Sequence, residues 1–157
     1  MIARALPGLL GLALILATAP ALAQGPAQPT GIGMPGEPIF TEHRLVLQLS
    51  DADDAKQTQV LNNAANVLEV YGPDKVAIEV VTFGPGIDLL HDGNKNAERI
   101  HSLTLQGVVF DVCLNTVHTI ERNTGKPYAL NPLARPVRAG IVQIMTLAEH
   151  GYTVVRP

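Results

Sequence analysis

The chain lacks the residues that a disulfide, a base-stacking surface or an anionic partner would require. It has one cysteine in 157 residues, no tryptophan and only 4% aromatic residues. A single cysteine excludes an intramolecular disulfide, and few aromatic rings are available to stack on nucleic-acid bases. With 11 basic and 14 acidic residues the formal net charge is −3. Composition therefore argues against nucleic acid and against an anionic membrane surface as partners.

The one long apolar run lies at the amino terminus. Arg4 precedes an almost unbroken apolar stretch at 9–16, and the small-residue sequence Ala-Leu-Ala follows at 21–23. This order is typical of a cleaved secretory signal, and the run is shorter than the roughly 20 residues that span a bilayer. We predict a signal peptide over residues 1–23 and an exported, periplasmic protein without membrane attachment after cleavage. An uncleaved anchor and a buried helix are the alternatives.

The remainder of the chain predicts a leader and one domain. Residues 24–43 are rich in proline and glycine, which favours a flexible leader; an arm packed on a neighbouring subunit is the alternative. Residues 44–157 are enough for one hydrophobic core and too few for two. No internal repeat is visible.

Strand-length apolar runs alternate with stretches of helical spacing throughout 44–157. Strands are predicted at 45–49, 76–83, 108–112, 134–138 and 152–155, and helices at 53–71, 94–106, 114–122 and 140–150, with a helical turn after Gly84-Pro85-Gly86. Ser50 or Asp53 is expected to cap the first helix, and Ile141, Ile144, Met145 and Ala148 are expected to be the buried face of the last. The first three strands are almost continuously apolar, which favours a parallel sheet covered on both sides. We predict an α/β, doubly wound, mostly parallel five-stranded sheet with helices on both faces, flavodoxin-like, and consider 2-1-3-4-5 as its strand order.

Ligands of open parallel sheets bind beyond the carboxyl ends of the strands. The residues that this layout places there, strand by strand, are Ser50 and Asp51, Gly84 and Gly86, Cys113, and Arg138. In the order 2-1-3-4-5, strands one and three flank the switch point, which predicts Cys113 beside Ser50 and Asp51.

Cys113 also begins a helix, where unpaired amides and the helix dipole favour a thiolate. Asn115 and Thr116 add donors nearby, whereas Asp111 lies on the same strand face and opposes the thiolate. Cys113 is therefore a candidate nucleophile, and the alternatives are a bond to another molecule or a buried inert cysteine. Arg138 could hold a sulfur oxyanion such as thiosulfate, or be an ordinary surface arginine.

Other chemistries find no support in the sequence. The five histidines show no metal-ligand spacing, so no metal site is predicted. His118 could act as a base for Cys113, although a surface histidine is the simpler interpretation. Gly84-Pro85-Gly86 lacks the lysine and further glycines of a phosphate loop, and no hydrolase arrangement is present.

Several segments, in the same order, resemble the DsrE/YchN-like (DsrE/DsrF-like) family over about Arg44 to Pro157. They are LNNAAN at 61–66, FGPGI at 83–87, AERI at 97–100, GVVFDVCLNT at 107–116 and GY at 151–152. The resemblance implies a parallel-sheet domain that forms homo-oligomers, often trimers or hexamers. It also implies a sulfur carrier of the sulfurtransferase type, with a persulfide on Cys113, sulfur donor and acceptor proteins as partners, and no cofactor.

Two features depart from that family. The relay members are cytoplasmic, whereas this chain is predicted to be exported, and no second cysteine is present to resolve a persulfide. The competing hypothesis is a non-catalytic oligomeric binding or scaffold module in which Cys113 is structural.

Overall fold

The computed structural model describes Met1, Met34 and residues 36–157. Apart from Met1, the predicted signal peptide lies outside the described residues, as does most of the predicted leader. The strands are β1 (His43–Leu49), β2 (Val76–Thr82), β3 (Val109–Cys113), β4 (Ala134–Val137) and β5 (Thr153–Val155); the helices are α1 (Asp54–Tyr71), α2 (Ala97–Thr104), α3 (Leu114–Thr124) and α4 (Gly140–Glu149), with a 3-10 helix at Gly84–Leu90. Within this described part, no helix has the length and hydropathy needed to cross a bilayer.

The five strands form one parallel sheet in the order β4-β3-β2-β1-β5. The predicted fold class, an α/β doubly wound parallel sheet of the flavodoxin-like kind, is confirmed. The predicted strand order 2-1-3-4-5 is wrong, because each of the first three crossovers places the next strand directly beside the previous one. Only the last crossover, through α4, returns to the free edge of β1. As a result, β2 separates β1 from β3.

Helices cover both faces of the sheet, in unequal numbers. On one face α1, the 3-10 helix, α2 and α3 pack over a large apolar cluster that includes Leu47, Ile78 and Phe110. On the other face α4 packs alone over a smaller cluster, in which Val81 and Ile144 are members. Because side chains alternate along each strand, every second residue lies on the face of the sheet that α4 covers.

The helix α1 shows how local sequence signals set an element. Of the two predicted caps, Asp53 is the N-cap, since its side chain accepts a hydrogen bond from the Lys56 amide at 3.0 Å. Such a cap satisfies one of the unpaired amides of the first turn. Gly72 ends the helix with φ +80°, a conformation that glycine adopts without a Cβ clash.

The buried face predicted for α4 is largely wrong. Ile144 and Leu147 are buried, whereas Ile141 and Met145 are 55% and 58% exposed, and Ala148 is exposed as well. Apolar residues occur nearly all round α4, so its sequence is compatible with more than one buried stripe. Contact with the sheet selects the stripe, and an apolar surface remains on the outside of the helix.

The segment 36–42, predicted to be the end of the flexible leader, packs against the domain. The Glu37 carboxylate pairs with Arg44 at 3.0 Å and accepts a hydrogen bond from the Tyr152 hydroxyl at 2.8 Å. The backbone amide of Glu42 donates to the carbonyl of Lys75 at 2.8 Å. These contacts place the folded boundary before residue 44.

Candidate functional site

Cys113 is the last residue of β3 and the N-cap residue of α3. Cys113 is 5% exposed. Beside it in the sheet, Val137 is its partner in β4, and the Asn115 amide donates to the Arg138 carbonyl at 3.3 Å. The start of α3 is therefore joined to the short connection that leads from β4 into α4.

The surroundings of the sulfur favour the thiolate. Burial has the largest influence on the pKa of Cys113 and raises it, but the Thr116 hydroxyl and the backbone amides of Gly140, Thr116 and Asn115 together bring the pKa below its usual value. The Cys113 side chain makes no capping hydrogen bond to α3. Because Gly140 is the first residue of α4, the positive ends of two helices face the sulfur, where a negative charge is stabilised.

Four of the predicted site residues, Cys113 among them, come together here. Thr116 accepts a hydrogen bond from the Gly84 amide at 3.0 Å through its hydroxyl oxygen, which leaves its hydroxyl proton available to the sulfur. Gly84 has φ +53°, a backbone conformation that favours glycine. Asn115 contributes its backbone amide, while its side chain is exposed. Cys113, Asn115, Thr116 and Gly84 therefore form one local group.

Ser50 and Asp51 do not belong to that group. The Ser50 hydroxyl donates to the Asp51 carboxylate at 3.2 Å. The Nη2 atom of Arg156 lies 3.4 Å from the Ser50 hydroxyl oxygen and 3.7 Å from the Asp51 carboxylate. These residues follow β1, two strands away from Cys113, which corresponds to about 10 Å across the sheet. Their predicted place beside Cys113 is wrong because the strand order differs from the expected one.

Two further predicted residues occupy different environments. Gly86 is buried against the end of β1, where a Cβ atom would lie 2.7 Å from the carbonyl carbon of Leu49, so its position serves close packing of two backbone segments. Arg138 is exposed and forms no ion pair within residues 36–157. His118 is exposed on α3.

A buried ionic cluster lies on the α4 side of the sheet, and the sequence interpretation did not identify it. Arg135 of β4 contacts Asp111 of β3 through Nε at 2.6 Å and Nη2 at 2.9 Å, and contacts Glu79 of β2 through Nη2 at 2.6 Å. Gln143 of α4 donates to the same Glu79 oxygen at 3.1 Å. Asp111 is fully buried, and the Glu79 side chain is 4% exposed. The carboxylate expected to oppose the thiolate is thus paired with a guanidinium.

Glu79 carries a strongly perturbed carboxyl group. Burial is the largest cause and raises its pKa, and the hydrogen bond with Asp111 and the charge of Asp111 raise it further. Arg135 and Gln143 act in the opposite direction, and the resulting pKa is about 7. The charged or titratable groups near it are Asp111, Arg135 and Tyr152, and Glu37 lines the same cavity. The folded protein therefore holds a proton on Glu79 at pH values where the unfolded chain has released it.

A pH dependence of stability follows from Glu79. The pKa of Glu79 in the folded protein is above its ordinary value of 4.5. The contribution of Glu79 to the free energy of unfolding is therefore complete below pH 4.5 and is lost as the pH rises through 7. We expect Glu79→Gln to remove on the order of 2–3 kcal/mol of this decline, measured by urea unfolding at a series of pH values. Replacement of the exposed Glu98 by glutamine is the control. Parallel curves for wild type and Glu79→Gln would contradict this assignment.

Metal ligands are not gathered at the site. Within residues 36–157, no group of three or more histidine, cysteine, aspartate or glutamate residues could hold a metal ion. The groups near the Cys113 thiol are hydrogen-bond donors, from Thr116, Gly140 and Asn115.

Comparisons with known proteins support the fold alone. No protein-family model matches the chain, and no curated protein matches it. Among solved structures, the chain is similar to MTH1491, a protein of unknown function from Methanobacterium thermoautotrophicum, with 25% sequence identity and a TM-score of 0.64. The match covers 74% of this chain and 100% of that one. The described domain thus shares its architecture with an archaeal protein whose activity is not defined.

Proposed function

We propose that the protein is a sulfur carrier of the DsrE-like kind that holds sulfane sulfur as a persulfide on Cys113. The observation that carries the proposal is the thiol at the end of β3, faced by the amino termini of α3 and α4 and by the Thr116 hydroxyl. A lowered pKa increases the thiolate fraction at neutral pH, and the thiolate is the nucleophile. The same donors also stabilise the negative charge of a persulfide.

The reaction is a transfer between sulfur atoms. The Cys113 thiolate attacks the sulfane sulfur of a polysulfide or of thiosulfate, a new sulfur–sulfur bond forms, and the donor's sulfur–sulfur bond breaks. The bonding electrons leave with the shortened polysulfide or with sulfite, so the charge balances and no cofactor takes part. A thiolate of an acceptor protein then attacks the outer sulfur and releases Cys113 as a thiolate.

The surroundings of Cys113 define which donors fit. At 5% exposure, the sulfur admits small anions more readily than a protein loop. Arg138 and Asn115 are exposed close to the start of α3, and a guanidinium and an amide suit a sulfur oxyanion at the entrance. We propose both residues as the contacts of an incoming donor, with Gly84 and Thr116 behind them.

We further propose that the carrier is an exported, periplasmic homo-oligomer, a trimer or hexamer, that works with separate donor and acceptor proteins. Support for self-association comes from α4, where Ile141, Val142 and Met145 are 55%, 56% and 58% exposed. Apolar side chains grouped on one exposed helix face are typical of protein contacts. The missing second cysteine is consistent with release of sulfur to another protein rather than to an internal thiol.

A second candidate is a non-catalytic binding or scaffold module in which Cys113 is structural. The low exposure of Cys113 favours it, because free cysteine is among the most often buried residues. In that case the exposed surface of α4 would carry the function.

Intact mass separates the two candidates. After exposure to polysulfide or thiosulfate, we expect the wild-type protein to gain whole sulfur atoms, and the gain to disappear on addition of a reductant. Cys113→Ala is the matched control and should gain none, since no other cysteine is present. No gain in the wild type, together with a thiol that is alkylated only after unfolding, would favour the scaffold module.

A further inference from the structure

The buried ionic cluster reaches the first turn of α4. Glu79, Asp111 and Arg135 join three neighbouring strands, and Gln143 connects them to the helix through its bond to Glu79. Gln143 lies three residues after Gly140, so both are in the same turn, on adjacent parts of the helix surface. A hydrogen bond that fixes Gln143 therefore also limits the movement of the Gly140 amide.

The strand register places this cluster next to the thiol. Asp111 and Arg135 are partners across β3 and β4, and Cys113 and Val137 are the corresponding pair two residues further on. Residues two apart in a strand point to the same side of the sheet. Asp111 and Cys113 therefore both face α4, about 7 Å apart along the strand.

We propose that Glu79, Asp111, Arg135 and Gln143 form a positioning cluster that holds the first turn of α4 against Cys113 and so controls the reactivity of its thiol. This inference rests on the proposed function for its biological meaning, because it concerns the same sulfur. Gln143 and Glu79 are positioning residues here, since neither touches the sulfur. Gly140 is the group through which they act.

The composition of the cluster supports a role beyond stability. Burying two carboxyl groups beside a partly exposed guanidinium costs free energy, and an apolar set of similar volume often gives equal or greater stability. Such a cluster fixes the positions of its members through hydrogen bonds, whereas apolar residues do not. On the other side of the turn, Gly140 packs so closely on Phe83 that a Cβ atom would lie 3.0 Å from the Phe83 Cβ. The turn is thus held from both sides.

The test is a pH titration of the Cys113 thiolate by its ultraviolet absorbance, taken as the difference between each protein and its Cys113→Ser counterpart. Gln143→Met keeps the length of the side chain and removes the donor. We expect the pKa of Cys113 to rise and the thiolate fraction at neutral pH to fall about threefold to tenfold, the effect of losing one net hydrogen bond. Glu149→Gln, a change at an exposed position of the same helix outside the apolar surface, should titrate as the wild type.

A second pair of variants tests the link from the strand side. Glu79→Gln and Glu79→Leu remove the same charge, but only the glutamine can still accept the bond from Gln143. We expect the higher thiol pKa in Glu79→Leu, and little further change when Gln143→Met is added to it. If Gln143→Met is folded and titrates as the wild type, or if the two Glu79 variants titrate alike, the proposal is wrong.

These readouts are independent of sulfur transfer. Sulfur uptake by the wild type with an unchanged titration in Gln143→Met would refute the positioning role and leave the carrier function intact. A shifted titration in Gln143→Met without sulfur uptake by the wild type would support the positioning role and refute the carrier function.

Discussion

Replacing Arg135 by methionine is expected to lower the free energy of unfolding by about 3 kcal/mol. This is the lower end of the usual effect of removing one partner of a buried ion pair, because the Arg135 side chain itself is 38% exposed. Within residues 36–157, Arg135 is the only cation in salt-bridge contact with Asp111 or Glu79. Asp111 is fully buried and Glu79 nearly so. Without the guanidinium, these carboxyl groups lose their charge partner in a region from which water is excluded. Urea unfolding at neutral pH measures the loss.

Three comparisons make this expectation specific. Arg138→Met, at an exposed position of the same connection, should change stability by about 0.5 kcal/mol or less. Arg135→Lys should be intermediate, because an ammonium group cannot make the paired contacts of a guanidinium. An apolar replacement of all three ionic residues should restore most of the stability. Equal stability of Arg135→Met and Arg138→Met would show that the cluster contributes nothing to the fold.

Most of the fold was predictable because its signals are local. Strands β1, β2 and β3 are almost continuous apolar runs, as expected when helices cover both faces, and Asp53 is an N-cap residue followed by a helical pattern. The strand order was not predictable in the same way. It depends on which edge of the sheet each crossover reaches, and crossovers of similar length and the same handedness are compatible with either edge.

The site likewise has a part that local sequence predicts and a part that depends on the tertiary fold. Cys113, Asn115 and Thr116 are neighbours in sequence, so their association at the start of α3 follows from one strand–helix junction. Gly140 approaches the sulfur, and Gly84 binds the Thr116 hydroxyl beside it. Both come from distant parts of the chain, and only the sheet order and the position of α4 bring them there. The second helix terminus at the thiol could not be deduced from the spacing of residues.

The ionic cluster did leave a signal in the sequence. Glu79 interrupts the apolar run of β2 and Asp111 that of β3, and a carboxylate in a covered strand requires a partner. Of the two arginines in the neighbouring strand predicted at 134–138, Arg135 lies in its interior and Arg138 at its end. What the sequence lacks is the register that sets Arg135 opposite Asp111, since a shift of one residue would turn the guanidinium to the other face.

Replacing Gly86 by alanine is the second change with a large expected effect. A Cβ atom at this position would lie 2.7 Å from the Leu49 carbonyl carbon and 3.0 Å from the Ser50 Cα. Both atoms belong to the backbone at the end of β1, which is paired on both sides, so neither can move as a side chain would. We expect a loss of about 3 kcal/mol or more, at the upper end of the range for overpacking, measured by urea unfolding.

Gly93→Ala is the matched control, because it adds the same methyl group where no atom lies within 4 Å. Gly93 has φ +83°, so its replacement should cost only the strain of the backbone conformation, about 1 kcal/mol. A larger loss in Gly86→Ala than in Gly93→Ala isolates the clash with β1.

Because Gly84, two residues earlier, donates to Thr116, a shift of the 3-10 helix in Gly86→Ala should also slow alkylation of Cys113. Equal losses in the two variants would mean that the end of β1 and the 3-10 helix move apart at little cost, and would contradict the close-packing role assigned to Gly86.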